Sequence, residues 1–182
     1  PASWGEILKL FRGADAAPSS GNKEATDQAE DPFRSYALLL LAEKGDPAFI
    51  PPFLEMLSKS REPMRGDILR ALGFFRDARA YRPLFDNLHS AQVTGRMNAI
   101  LGLKNLGGKE VIPALLIALD DPDVQVRQVA NFALEGLTNH KVAVSSNPSG
   151  EEFLRVASDW HAWWREHAGS FSPPRPAACH DW

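Results

Sequence analysis

The sequence predicts an all-α protein, a right-handed α-solenoid of helix pairs. Three observations predict it: a 31-residue internal repeat, apolar residues at helical spacing in each copy, and turn signals that recur in register. Arg34, Arg65, Arg96 and Arg127 stand 31 residues apart. Three residues after each comes Ala37, Ile68, Ala99 or Ala130, and seven after each comes Leu41, Leu72, Leu103 or Leu134. Leu57, Leu88 and Leu119 keep the same step in a second segment, which Pro52, Pro83 and Pro113 open within one residue of register. A single helix pair cannot bury both of its apolar faces, whereas stacked pairs form a continuous core.

In chain order, residues 1–12 read as a short amphipathic helix. Ser3 and Glu6 are spaced as a capping box, and Trp4, Ile7, Leu8 and Phe11 lie on one face. Ten residues of helix are unstable alone, so this segment is expected to cover the first repeat or to dock on a partner. Residues 13–31 are small, polar and aperiodic, and read as a linker. Residues 32–140 hold the repeats, about three and a half helix pairs. In the first helix of the last unit, Val126, Val129, Ala130, Ala133, Leu134 and Leu137 form one stripe. Pro122, Asp121 and Asp123 near its start suit the first turn and the positive end of the helix dipole. Gly107 and Gly108 end the helix before them, and Gly108 shares the turn column of Asp46 and Asp77. Residues 150–167 are expected to cap the array with Phe153, Val156, Ala157, Trp160, Trp163 and Trp164 on one helical face. Residues 168–182 contain three prolines within four positions and read as an extended tail without a packed element.

The stretches "RALGFFRDARAYRPLFDNL" and "LGLKNLGGKEVIPALLIALDDPDVQVRQVANFAL" resemble the short HEAT-like repeats first described in phycobilin lyases and widespread in bacterial proteins. The resemblance spans about residues 31–140, and it implies a ladder of polar contacts between neighbouring units in which Asp123 and Arg127 take part. The corresponding stretch of the third unit, "QVTGR", lacks the acid. The resemblance also carries an alternative function, a lyase-like or chaperone-like handler of a tetrapyrrole or haem protein.

Composition limits the function classes. With 44% hydrophobic and 24% charged residues the chain has globular usage, and its longest apolar run, Tyr36–Ala42, is far shorter than a membrane helix requires. The net charge of −3 hides a basic middle: residues 61–109 carry 9 Lys/Arg against 4 Asp/Glu, between acidic ends. Arg65, Arg70, Arg76, Arg79, Arg82 and Arg96 are therefore candidate partner contacts, with Trp4 and Trp182 at the ends. The bias is too mild for a dedicated nucleic-acid binder, so nucleic acid is disfavoured as a partner. The single cysteine, Cys179, precedes His180 in "AACH", which lacks the first cysteine of the C-x-x-C-H haem attachment pattern. Covalent haem on Cys179 and His180 is accordingly a remote reading, and no cofactor or metal is expected. No nucleotide-binding, hydrolase or metalloprotease motif occurs, and the histidines are scattered. The expectation is a soluble, non-enzymatic protein-interaction module of bacterial type, an accessory or assembly subunit of a larger complex. The compartment, periplasm or cytoplasm, is left open.

Overall fold

The computed structural model describes residues 32–62, 64–145 and 148–173, with side chains from residue 36 onward. The amphipathic segment 1–12, the linker 13–31 and the chain from residue 174 lie outside the described residues. Among the described residues there are eight α-helices and no strand. The helices are α1 (Pro32–Glu43), α2 (Ile50–Lys59), α3 (Met64–Phe74), α4 (Tyr81–Asn87), α5 (Val93–Leu106), α6 (Ile112–Ala118), α7 (Val124–Thr138) and α8 (Gly150–His167). Short 3-10 turns at Pro47–Phe49, Ala78–Ala80 and Lys109–Val111 lead into α2, α4 and α6. The first helices α1, α3, α5 and α7 pack in series, and each second helix lies against the first helix of the following unit. This is the all-helical stack expected of a HEAT-like solenoid.

Local chemistry sets the turns. Each first helix ends at a residue with positive φ: Gly45 (66°), Arg76 (50°) and Gly107 (69°) occupy one repeat column, and Asn139 (58°) closes α7. The carboxylates of Asp46 and Asp77 then accept the backbone N–H of Ala48 and Arg79, each at 2.9 Å, capping the 3-10 turns. The third unit has no such acid, and Gly108, at φ 88°, makes the corner by backbone freedom alone. Pro52, Pro83 and Pro113 fall in the first turns of α2, α4 and α6, where a missing N–H leaves nothing unpaired.

The core runs through the repeat columns. Leu38, Leu69 and Ile100 are fully buried, as are Leu72, Leu103 and Leu134. Between α3 and α5 the backbones approach more closely than side chains allow. A Cβ on Gly102 would stand 2.5 Å from the carbonyl oxygen of Leu69, and a Cβ on Gly73 would collide with the carbonyl of Gly102. Asn98 fills the space that a side chain on Gly66 would take.

The last unit is built differently. In the regular units a short turn returns the chain antiparallel, so the start of α5 (Arg96) meets the residues just after α6 (Asp121). In the last unit Arg127 meets Phe153, Asn131 meets Trp160, and His140 meets Trp163, the same order along both segments. Thus α8 follows the direction of α7, and residues 140–145 lie alongside it, held by Arg155 to the carbonyl of Ala143 at 2.7 Å and by Glu152 to Ser145. Residues 168–171 are packed rather than extended: Ser170 and Phe171 donate their N–H groups to the His167 carbonyl, and the Phe171 ring packs edge-on against Trp163 and Trp164 at 5.9 and 5.6 Å.

Gly102→Ala is expected to lower stability by about 1–3 kcal/mol, because backbone on α3 cannot yield to the added methyl. Gly136→Ala meets only the flexible end of Lys104 at an exposed position of α7 and is expected to raise it by about 0.5–1 kcal/mol. Thermal unfolding of the two variants checks the pair; equal shifts would contradict the close approach.

Candidate interaction surface

The repeat arginines are the first groups to place, because they are the most regular polar feature of the chain. Each stands at the start of a first helix, where the previous unit ends. Arg65 donates through Nη1 to the Leu57 carbonyl at 2.7 Å, and through Nη2 and Nε to Asn87 Oδ1 at 2.8 and 3.2 Å. Arg96 donates through Nη1 to the Ser90 carbonyl at 3.0 Å and makes a two-pronged pair with Asp121 at 2.7 and 2.9 Å. Each guanidinium therefore joins the end of the preceding unit to the end of its own second helix. The Arg96–Asp121 pair is nearly enclosed, with side chains only 12% and 9% exposed. The bonds to Asp121 raise the pKa of Arg96, so this guanidinium stays charged across any ordinary pH.

Arg127 repeats half of this arrangement. Its Nη1 donates to the carbonyls of Asp121 and Pro122 at 2.7 and 3.0 Å, and its guanidinium lies 4.8 Å from the centre of the Phe153 ring. Asp123 does not pair with it. The Asp123 backbone is extended (φ −87°, ψ 129°), which turns the carboxylate onto the N–H groups of Gln125 and Val126 as the N-cap of α7. The acid of the ladder is Asp121, two residues earlier, and it serves Arg96 of the preceding first helix.

Five of the six arginines proposed as partner contacts are engaged within the chain. Besides Arg65 and Arg96, Arg70 pairs with Asp67, Arg79 with Asp77 at 2.9 Å, and Arg82 with Asp86 at 2.9 Å. Arg79 holds the Asp77 carboxyl at about 2, well below the usual range, by direct hydrogen bonds. Four of the six, Arg70, Arg79, Arg82 and Arg96, are therefore matched by acids, while Arg65 is held by Asn87 and the Leu57 carbonyl. Arg76 is the remaining one, exposed at a left-handed position. At the opposite end of α3, burial pushes the Glu62 carboxyl up, and its Oε1 is buried without a partner close to Gly66 and Gly95. Trp4, Trp182, Cys179 and His180 lie outside the described residues.

The tryptophans close the end of the array, as their spacing predicts. Trp160 is fully buried together with Phe153 and Val156, and its indole N–H donates to Asn131 Oδ1 at 2.6 Å. Trp163 lies half-buried between two imidazoles, His140 at 4.9 Å and His167 at 4.7 Å, both nearly parallel to it. Sequence reasoning missed Asn131, and the signal was available: it occupies the column of Leu38, Leu69 and Ile100. A polar residue in a core column marks the unit whose neighbour brings a buried donor. The His140–Trp163–His167 stack had no comparable signal, because it depends on α8 running in the direction of α7.

Asn131→Leu, which restores the residue type of the sister units, is expected to cost about 1–3 kcal/mol by leaving the Trp160 N–H buried and unpaired. Adding Trp160→Phe should recover part of that loss. Denaturant unfolding of the single and double variants checks this; a neutral Asn131→Leu would show that the bond contributes nothing.

No curated protein shows significant similarity to the chain. No helix among the described residues is long and apolar enough to cross a membrane. Residues 95–121, which run from the start of α5 through α6 to Asp121, match the family model of the PBS lyase HEAT-like repeat.

Proposed function

We propose that the chain is a non-enzymatic protein-interaction module, an accessory or assembly subunit of a larger complex. The observation that supports it most is where large apolar side chains remain in water. Ile117 on α6, Phe132 on α7 and Leu154 on α8 are each at least half exposed. Ile117 stands in the solvent column that holds Glu55 and Asp86 in the preceding units. A change from acid to isoleucine on an outer helix face does nothing for the core and adds apolar surface of the kind found at interfaces. Arg76 supports the same reading. It keeps a side chain at a left-handed position where Gly45 and Gly107 serve the sister units, and strain of that kind is retained where the side chain has a use.

Recovery of the full chain from its native source, with cross-linking and mass spectrometry, tests the proposal. Wild-type protein should link to a stoichiometric partner, and Ile117→Asp combined with Leu154→Glu should lose it while keeping its helical content. Arg76→Gly should gain about 1 kcal/mol of stability from the relieved backbone yet retain the partner less well. A lone monomer, or retention unchanged by all of these substitutions, would count against the proposal. The tetrapyrrole-handling reading draws support only from the repeat type matched at residues 95–121. A bound chromophore absorbing in the visible range in purified protein would favour it.

A further inference from the structure

We propose that the side of α1 facing away from α3 is closed by residues 4–11 of the same chain, with Trp4, Ile7, Leu8 and Phe11 laid against Tyr36 and Leu40. The inference starts from the repeat register. In the third unit the face turned to the preceding unit is made by Asn98, Gly102 and Asn105. Asn98 stands over Gly66, Gly102 lies against the Leu69 backbone, and Asn105 Nδ2 reaches the Arg70 carbonyl at 3.4 Å. The same columns in α1 are Tyr36, Leu40 and Glu43. Among the described residues nothing precedes α1, and Tyr36 and Leu40 are 63% and 42% exposed.

Residue size identifies the kind of occupant. Where α1 has Leu40, the later units have Ala71, Gly102 and Ala133, all buried at close helix approach. Another unit at the spacing of α3 and α5 would clash with a leucine in that column, because not even a Cβ is accommodated on Gly102. The face therefore suits a cover that stands farther off and carries large side chains of its own. Residues 4–11 provide one, with apolar residues at 4, 7, 8 and 11. The reach is sufficient. Nineteen small and polar residues, 13–31, span on the order of 24 Å as a flexible chain, whereas α1 is about 18 Å long. A tethered segment also meets its site at an effective concentration in the millimolar range.

Hydrogen exchange read by mass spectrometry on the full chain tests the proposal. Comparison of wild type with Ile7→Glu/Leu8→Glu should show exchange across residues 36–43 rising about ten-fold in the variant. Residues 95–135 should exchange unchanged, which shows that the array is still folded. Leu40→Ala, the residue type of Ala71 and Ala133, should release residues 4–11 in the same way, and wild-type protection should not vary with protein concentration. Equal exchange at residues 36–43 in wild type and Ile7→Glu/Leu8→Glu would overturn the proposal. So would protection that grows with concentration alongside a dimer in sedimentation, which would make a second copy the occupant. Neither result depends on whether a partner protein exists.

Discussion

The guanidinium at the start of α3, α5 and α7 is the interaction on which the stack depends. The end of a second helix leaves carbonyl groups without intrahelical donors, and the next unit begins within a few residues of them. Arg65, Arg96 and Arg127 each bring a donor to such carbonyls, at 2.7, 3.0 and 2.7 Å. Because the same side chain is fixed on its other edge by Asn87 or Asp121, it sets the angle between one unit and the next as well as filling a vacancy. Hydrophobic burial drives the packing of the layers but is non-directional. The planar fork of arginine adds the direction.

Much of this was legible in the sequence, since a 31-residue period and helical spacing are local properties that repeat. The helix pairs, the glycine corners at 107 and 108, and the capping helix at 150–167 follow from those patterns. What was not legible depends on side-chain aim. Asp121 and Asp123 are both acids before the same helix, and only the extended backbone of Asp123 shows which one is the cap and which the ion-pair partner. The run of arginines at 65–96 suggested a charged patch, but the acids that pair with Arg70, Arg79, Arg82 and Arg96 sit at offsets of two to four residues or across the unit, so a count over a window misjudges the surface. The direction of α8 was hidden for a different reason. An eleven-residue connection, 139–149, permits either sense, and the choice is made by what Trp160 and Asn131 offer each other.

The two ends of the array are unequal in consequence. At the last unit, aromatic rings and a reversed helix bury the final apolar face, with Trp160 fully enclosed. At the first described helix, Leu40 stands in a column that elsewhere holds small residues under a neighbour. The surface between these ends is where the units differ most, as Ile117 and Arg76 illustrate, while the columns beneath them stay alike. A repeat array can vary its outer columns without disturbing the core, because each unit contacts only its neighbours.

The most direct test of the arginine clamp is a double-mutant cycle on Arg96→Leu and Asp121→Asn, read by equilibrium denaturation. The pair is nearly enclosed and two-pronged, so the two losses should fail to add, with a coupling of about 1–3 kcal/mol. Losses that add to within about 0.5 kcal/mol would contradict the account. They would leave the stack held by apolar packing alone.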